Sequence, residues 1–222
     1  MSDGTPLFFA DRDEAGRHLA DAVAAQVPRH PGPAPLVLAL PRGGVPIAVR
    51  VAARIGAELD VVIARKIGAP GRPEYGIGAI AEDGPPVFDE PALHALGLTP
   101  ADLAPAVAEE RAELARRTHE YRGDRRVPDP TARVVVVVDD GLATGVTARA
   151  ALRWLRGHHP ARLVLAVPVC SPPARDALSG DADTVICLSA PPQFRAVGQW
   201  YDDFTQLTDA DVHRALRGFA HT

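Results

Sequence analysis

Two adjacent carboxylates, Asp139 and Asp140, stand directly behind the all-valine run Val134 to Val138. The residues after them are small or hydroxyl-bearing: Gly141, Leu142, Ala143, Thr144, Gly145, Val146 and Thr147. Twin acids in that position can accept hydrogen bonds from vicinal hydroxyls of a sugar, or hold magnesium through water. A small-residue loop that opens a helix offers backbone N–H groups together with the positive end of the helix, which makes a cradle for a phosphate. The bland alternative is a strand-to-helix turn in which Asp139 and Asp140 only cap backbone amides. Pro41-Arg42-Gly43-Gly44-Val45 is a second candidate. Its glycines admit unusual φ values, so amides can approach an oxyanion, and Arg42 offers a fork of donors, although Arg-Gly-Gly is also an ordinary turn. The third candidate is Arg65-Lys66. Lys66 is the one lysine among 24 Lys and Arg residues. A lysine surviving such a bias would be kept for its compact, flexible ammonium; otherwise it is a solvated residue at a strand end.

Each candidate follows an apolar run. Leu36 to Leu40 is wholly apolar, and Val45 to Ile55 has helical spacing that stops at Gly56. Leu59 to Ala64 is a second strand, so Leu36 to Ala64 forms a βαβ unit with parallel strands, and Arg65 and Lys66 fall at its end. Gly68 to Gly84 reads as a glycine-rich mobile loop with a short strand, Ile77 to Ala81. Arg133 to Val138 is too β-branched for a comfortable helix and apolar on both faces, which predicts a central parallel strand. A helix from Thr147 to about Arg156, a strand Leu163 to Val169, a helix capped by Ser171 and ending at Leu178, and a strand Thr184 to Leu188 follow. Asp11 to Val27 is an amphipathic helix, and Thr99 with Pro100 and Asp102 opens another that runs to about Tyr121. The alternation predicts an α/β fold with a central, mainly parallel sheet flanked by helices, in which ligands bind beyond the carboxyl ends of the strands.

At 222 residues one domain, 1–222, with its core at about 35–190, is the expectation. A net charge of -4 with 23% charged residues leaves no basic stripe for nucleic acid. Cys170 and Cys187 are the only cysteines and have no C-x-x-C spacing, so neither a disulfide framework nor a zinc ribbon is expected, and a reducing cytoplasm is the expected compartment. No apolar stretch reaches the ~20 residues needed to span a bilayer, and Met1 to Pro6 begins no signal peptide, so neither a membrane nor secretion is expected. Neither G-x-x-x-x-G-K-[ST] nor a strand-linked G-x-G-x-x-G occurs, which argues against nucleotide hydrolysis or dinucleotide binding.

Asp139-Asp140-x-x-x-Thr144-Gly145-x-Thr147 behind a valine strand resembles the motif with which the phosphoribosyltransferase family binds 5-phosphoribosyl 1-diphosphate (PRPP). The wider pattern includes Pro-Arg-Gly-Gly-Val-Pro, Arg-Lys-Ile-Gly-Ala-Pro-Gly, Gly-Ala-Ile-Ala-Glu and Val-Gly-Gln-Trp-Tyr-x-Asp-Phe. It is similar to a bacterial branch of that family with no settled acceptor, and it covers nearly the whole chain. The resemblance implies the type I fold of the family, with a small hood from about 7–30 and 190–222. It implies that Asp139 and Asp140 hold the ribose 2′- and 3′-hydroxyls. Gly141, Ala143, Thr144, Gly145, Val146 and Thr147 then hold the 5′-phosphate, and Arg42, Gly43 and Gly44 meet the diphosphate. Mg2+ would be held mainly by PRPP, with Asp139 and Asp140 reaching it through water. Arg65 and Lys66 would stabilise the departing diphosphate, and Glu74 and Tyr75 would lie on a catalytic lid.

The activity implied is transfer of the 5-phosphoribosyl group to a nitrogen nucleophile, a nucleobase-like heterocycle; a PRPP-binding regulator without turnover is the alternative. A homodimer is implied by analogy alone. Phe194, Trp200 and Tyr201, with Phe204, form either an aromatic wall for a flat acceptor or a satellite core pinning the tail. The chain has no hood lysine of the kind purine salvage enzymes use to read a 6-oxo group.

Overall fold

Five valines in a row present no polar face, so the strand they form must be covered on both sides. In the computed structural model, which describes residues 7–27 and 32–220, Val134–Val138 is the middle strand of a five-stranded sheet. The elements in chain order are α1 (Arg12–Gln26), β1 (Leu36–Ala39), α2 (Gly44–Ile55), β2 (Glu58–Val61), β3 (Ala64–Ala69), β4 (Arg72–Ala81) and β5 (Val87–Phe88). They continue with α3 (Glu90–Leu96), α4 (Ala104–Arg122), β6 (Val134–Val138), α5 (Val146–Arg156), β7 (Arg162–Val169), α6 (Pro172–Leu178), β8 (Thr184–Ser189) and α7 (Asp209–Ala220). The central sheet runs β2-β1-β6-β7-β8 with every pair parallel. Chain order runs outward in opposite directions from β1 and from β6, so a crevice opens between their carboxyl ends.

Alternation along the strands divides the core. Val136 and Val138 join Val37, Ala39, Val164 and Ala166 beneath Leu19 and Val23 of α1 and Ile47 and Val51 of α2. Val135 and Val137 join Leu36, Leu38, Leu163 and Leu165 beneath Leu152 and Leu155 of α5. Each Val, Leu or Ile side chain withdrawn from water stabilises by about 1.5–3 kcal/mol, and none of these strand residues is exposed. The helix assigned by sequence to a hood, α1, therefore lies in the layer beside α2. A Cβ on Gly16 would stand 3.1 Å from Ile47 Cα, so the two helices cross closely. Residues 28–30 of the expected hood lie outside the described residues.

The sequence reading also needs correction after β2. That strand ends at Val61, and Ala64–Ala69 pairs antiparallel with β4 in a separate three-stranded sheet, β3-β4-β5. Arg65 and Lys66 thus begin a hairpin instead of closing a central strand. The expected glycine-rich loop is largely β4, ten residues long. Its Gly78 serves packing: a Cβ there would stand 2.8 Å from Phe88 Cδ1, so only glycine lets β5 lie against it. Pro70-Gly71 supplies the turn, with Gly71 at φ +70. Among the described residues no helix is long and apolar enough to cross a membrane.

Arg122 fastens the base of the hairpin. Its guanidinium donates to the Glu82 carboxylate and, at 3.3 Å, to the Val61 carbonyl, and it approaches Asp60 to 3.8 Å. Glu82 also accepts from Ile63 N at 2.7 Å. Burial pushes the carboxyl pKa values of Asp60 and Glu82 up in spite of the neighbouring guanidinium. Removing the cation would strand two acids in a dry interior, so Arg122→Met should lower the unfolding free energy by about 3–5 kcal/mol in urea titrations. A change below about 1 kcal/mol would show that the two acids find another way to be neutralised.

Candidate functional site

The first two strand ends meet at the crevice. Ala39 pairs with Val138, and Leu40 N donates to Val138 O at 2.8 Å, which carries Pro41 to Gly44 alongside the twin acids. The Pro41–Arg42 peptide in this turn is cis. A Cβ on Gly43 would fall 1.8 Å from Asp140 Oδ2, and one on Gly44 would fall 2.5 Å from Val138 O. Gly43 has φ -62, an ordinary helical value. The glycines are therefore demanded by space and not, as the sequence suggested, by unusual φ.

The loop after β6 is fastened from outside. Leu142 N donates to Val169 O at 3.0 Å, Ser171 N donates to Leu142 O at 2.8 Å, and Ser171 Oγ donates to Ala143 O at 2.7 Å. Gly145 turns the chain at φ +72 into α5, where a Cβ would stand 2.7 Å from Leu178 Cδ1. The loop carbonyls are thereby used while its amides are not. Among the described residues no acceptor takes the N–H of Ala143, Thr144, Gly145, Val146 or Thr147. These donors sit where the dipole of α5 is positive, so the loop can receive an anion.

The acids lie at the floor of the crevice. Burial, and then the neighbouring Asp140, hold the Asp139 carboxyl well above the usual aspartate range, while Lys66 and Arg12 pull it back. Burial also raises Asp140, against the opposing pull of Arg12. Asp139 Oδ1 accepts from Asp140 N at 2.9 Å. Arg12, in the first turn of α1, brings Nε and Nη2 each to 2.9 Å from Asp140 Oδ2. Its Nη1 donates to Thr205 O at 3.0 Å, and its guanidinium lies 3.9 Å from the centre of the Phe204 ring. Tyr201 donates its hydroxyl to Asp140 O at 2.6 Å. Sequence reasoning missed Arg12, because nothing in the local pattern of a solvated first helical turn distinguishes it.

Neighbouring residues on a strand point to opposite faces, and this separates Arg65 from Lys66. Lys66 is exposed, and its charge reaches Asp139. Arg65 instead pairs with Glu110 of α4 at 2.7 Å, so the structure does not bring it to the acids. Arg42 Nη1 stands 3.9 Å from Asp209 at the start of α7, whose carboxylate also accepts from the Tyr121 hydroxyl. Tyr75 is exposed on β4, and the side chain of Glu74 lies outside what is described.

Of the two readings of the aromatic cluster, the packing of Trp200 and Tyr201 favours the satellite core. Trp200 and Tyr201 are 2% and 6% exposed. Trp200 packs on Phe8 and Phe194, and Tyr201 on Phe9 and Phe204. Phe9 N donates to Trp200 O at 2.9 Å, and Asp202 N donates to Phe9 O at 2.9 Å, so the rings pin the tail to the N-terminal segment. Phe194 remains partly exposed.

The chain matches the phosphoribosyl transferase domain over residues 13–203. Two Mycobacterium tuberculosis proteins, named "Putative phosphoribosyl transferase Rv0571c" and "Putative phosphoribosyl transferase MT0597", are each 43% identical over 218 residues, which is 96% of this chain and 48% of theirs. The chain thus spans about half the length of the curated relatives it matches. The crystal structure of TT1426 from Thermus thermophilus superposes with a TM-score of 0.78 at 42% identity, covering 96% of this chain and 99% of that one. The AQ2163 protein from Aquifex aeolicus shares the fold, with a TM-score of 0.54 at 11% identity over 84% and 78% of the two chains. The chain belongs to the phosphoribosyltransferase family.

Two outcomes follow from this geometry. Gly43→Ala should cost about 1–3 kcal/mol of stability, because the added methyl must displace Asp140 or the turn that faces it; an unchanged urea midpoint would contradict the contact. The second concerns pH. A raised folded-state pKa means that native Asp139 keeps a proton which the unfolded chain releases above the ordinary value of 3.8. Its contribution to stability is full below that value and is lost as the pH rises through the folded-state pKa. Asp139→Asn removes this loss, so the stability of the variant relative to the parent should climb as the pH rises from about 4 toward the raised folded-state pKa. A flat difference would refute the assignment.

Proposed function

We propose that the chain binds PRPP and transfers its 5-phosphoribosyl group to a nitrogen nucleophile, a nucleobase-like heterocycle, with release of diphosphate. The observation that carries this reading is the set of free amides from Ala143 to Thr147 beside the twin acids Asp139 and Asp140, with Gly43 and Gly44 pressed against them. In this reading the amides hold the 5′-phosphate and the acids hold the ribose hydroxyls. The backbone of Gly43 and Gly44, with Arg42, receives the diphosphate. Lys66 lies on the hairpin that borders the crevice, where its ammonium opposes the charge that builds on the leaving group. Closure of the hairpin tip, Pro70-Gly71 with Tyr75, would exclude water from the reacting carbon.

Magnesium bound with the diphosphate would neutralise part of its charge. Among the described residues no guanidinium or ammonium lies within ion-pair distance of Asp139, so this carboxylate would meet the ion through water. Arg12 holds Asp140 through Oδ2, which leaves Oδ1 to meet the sugar.

A second reading, a PRPP-binding regulator without turnover, is favoured by one observation. Arg12 already occupies an oxygen of Asp140, and Arg65 is engaged by Glu110, which leaves fewer cations for the leaving group. Lys66→Ala separates the two. In an enzyme it should lower kcat about 10²–10³-fold while the Kd for PRPP with Mg2+, measured by calorimetry, changes no more than about threefold. A variant whose only change is in binding, together with no diphosphate release across a panel of bases and amines, would favour the regulator. If the parent chain gives no heat with PRPP and Mg2+, both readings fall.

A further inference from the structure

The two cysteines have no motif spacing, but the fold brings them together. Cys170 follows directly on β7 and is fully buried, whereas Cys187 lies within β8 and is partly exposed. Their sulfurs stand 2.6 Å apart, and Cys187 Sγ also lies 3.1 Å from Ser189 O. Neither thiol belongs to the site described above, and one of them is a direct neighbour of its phosphate-sized loop. Cys170 bridges Leu142, its N–H donates to Ser189 O at 3.1 Å, and the next residue, Ser171, holds the carbonyls of Leu142 and Ala143.

We propose that Cys170 and Cys187 are a modification site, closing reversibly to an intrachain disulfide when the chain meets a hydroperoxide, and that the cross-link stiffens the loop Ala143 to Thr147 from beneath. The roles of the two thiols differ. Cys187 is the one a small oxidant can reach, and the hydrogen bond from Cys170 draws its pKa down from the ordinary thiol value in spite of burial. Cys170 has its pKa raised, first by that same hydrogen bond and then by burial, and solvent does not reach it. Cys187 thiolate attacks one peroxide oxygen, the O–O bond breaks, and the products are Cys187 sulfenic acid and hydroxide, which takes up the thiol proton to become water. Cys170 sulfur then attacks the sulfenic sulfur, the S–O bond breaks, and the hydroxyl leaves with the Cys170 proton as a second water. Two thiols lose two electrons in all, and the peroxide gains them. A dithiol reductant reverses the step.

The cross-link reaches the loop through hydrogen bonds already in place. Once Cys170 is tied to β8, Ser171 and the Leu142 bridge are tied with it, so the loop carbonyls lose freedom to shift. That this loop is the one that takes the 5′-phosphate rests on the proposed function; that it stiffens does not.

The experiment treats the reduced full chain with equimolar hydrogen peroxide. Intact mass should fall by two hydrogens, denatured thiol counts should fall from two to none, non-reducing gels should show monomer, and dithiothreitol should restore the starting state. Under the same dose Cys170→Ser should accumulate a Cys187 sulfenic acid that dimedone traps, and Cys187→Ser should leave Cys170 unmodified. Separate sulfinic acids without a cross-link, or a disulfide between chains, would overturn the proposal.

Hydrogen exchange of the amides from Ala143 to Thr147 should slow several-fold in the oxidised chain, and an unchanged rate would overturn the coupling to the loop. Calorimetry with PRPP and Mg2+ on both forms keeps the two claims apart. If neither form binds, the PRPP reading fails, while mass and exchange still decide the disulfide.

Discussion

Between the turn after β1 and the acids after β6 there is no space for a single methyl group. Asp140 Oδ2 occupies the place where a side chain at position 43 would begin, and Val138 O lies almost as close to position 44. This contact fixes the crevice, because it forces two loops from separate parts of the sequence to share one wall. The parallel register Ala39↔Val138 delivers both loops to the same height, and the apolar alternation that buries β1 and β6 on both faces holds that register against slippage. The close packing of the core is thus carried directly into the geometry of the site.

The same crowding sets the electrostatics. Two adjacent carboxylates with little access to water would both prefer to be neutral. Asp140 is compensated by Arg12, which is itself fixed by the Thr205 carbonyl and the face of Phe204. Asp139 has the hydrogen bond from Asp140 N and the more distant pull of Lys66 and Arg12. The acids therefore depend on both ends of the chain, on α1 for the guanidinium and on residues 201 to 205 for its supports. This explains why Trp200 and Tyr201 are packed as a staple between the tail and Phe9: a loosened tail would release Arg12, and with it the charge balance of Asp140.

How much of this could be read from sequence depended on the range of the interaction. Strands covered on both faces were legible because five valines allow no other covering, and the loop after β6 was legible because carboxylates, small residues and a helix start are contiguous. The hairpin was not, since Gly78 carries the same letter whether it loosens a loop or lets Phe88 approach a strand. Arg65 and Lys66 looked like a pair, yet a period of two sends one to Glu110 and the other toward the acids. Arg12 is 128 residues from Asp140, and its guanidinium resembles that of any solvated helical arginine until the sheet is assembled. Gly43 was identified, but for the wrong physical reason: φ is a local property, and the Asp140 oxygen is not.

The division into two sheets assigns different mechanical roles. The five-stranded sheet is anchored on both faces and supplies the parts that must not move, namely the twin acids, the glycine turn and the amides of the loop. The three-stranded sheet joins it through Val61 to Ile63 and is clamped at its base by Arg122, Glu82 and Asp60, while its Pro70-Gly71 tip carries no such anchor. The buried ions hold the root, where Arg65 and Lys66 begin the hairpin; Ile67 and Ile77 are buried along it, and Tyr75, nearer the turn, is exposed. Lys66 therefore acts on Asp139 from the anchored root of the hairpin, while Tyr75 stands exposed beyond it.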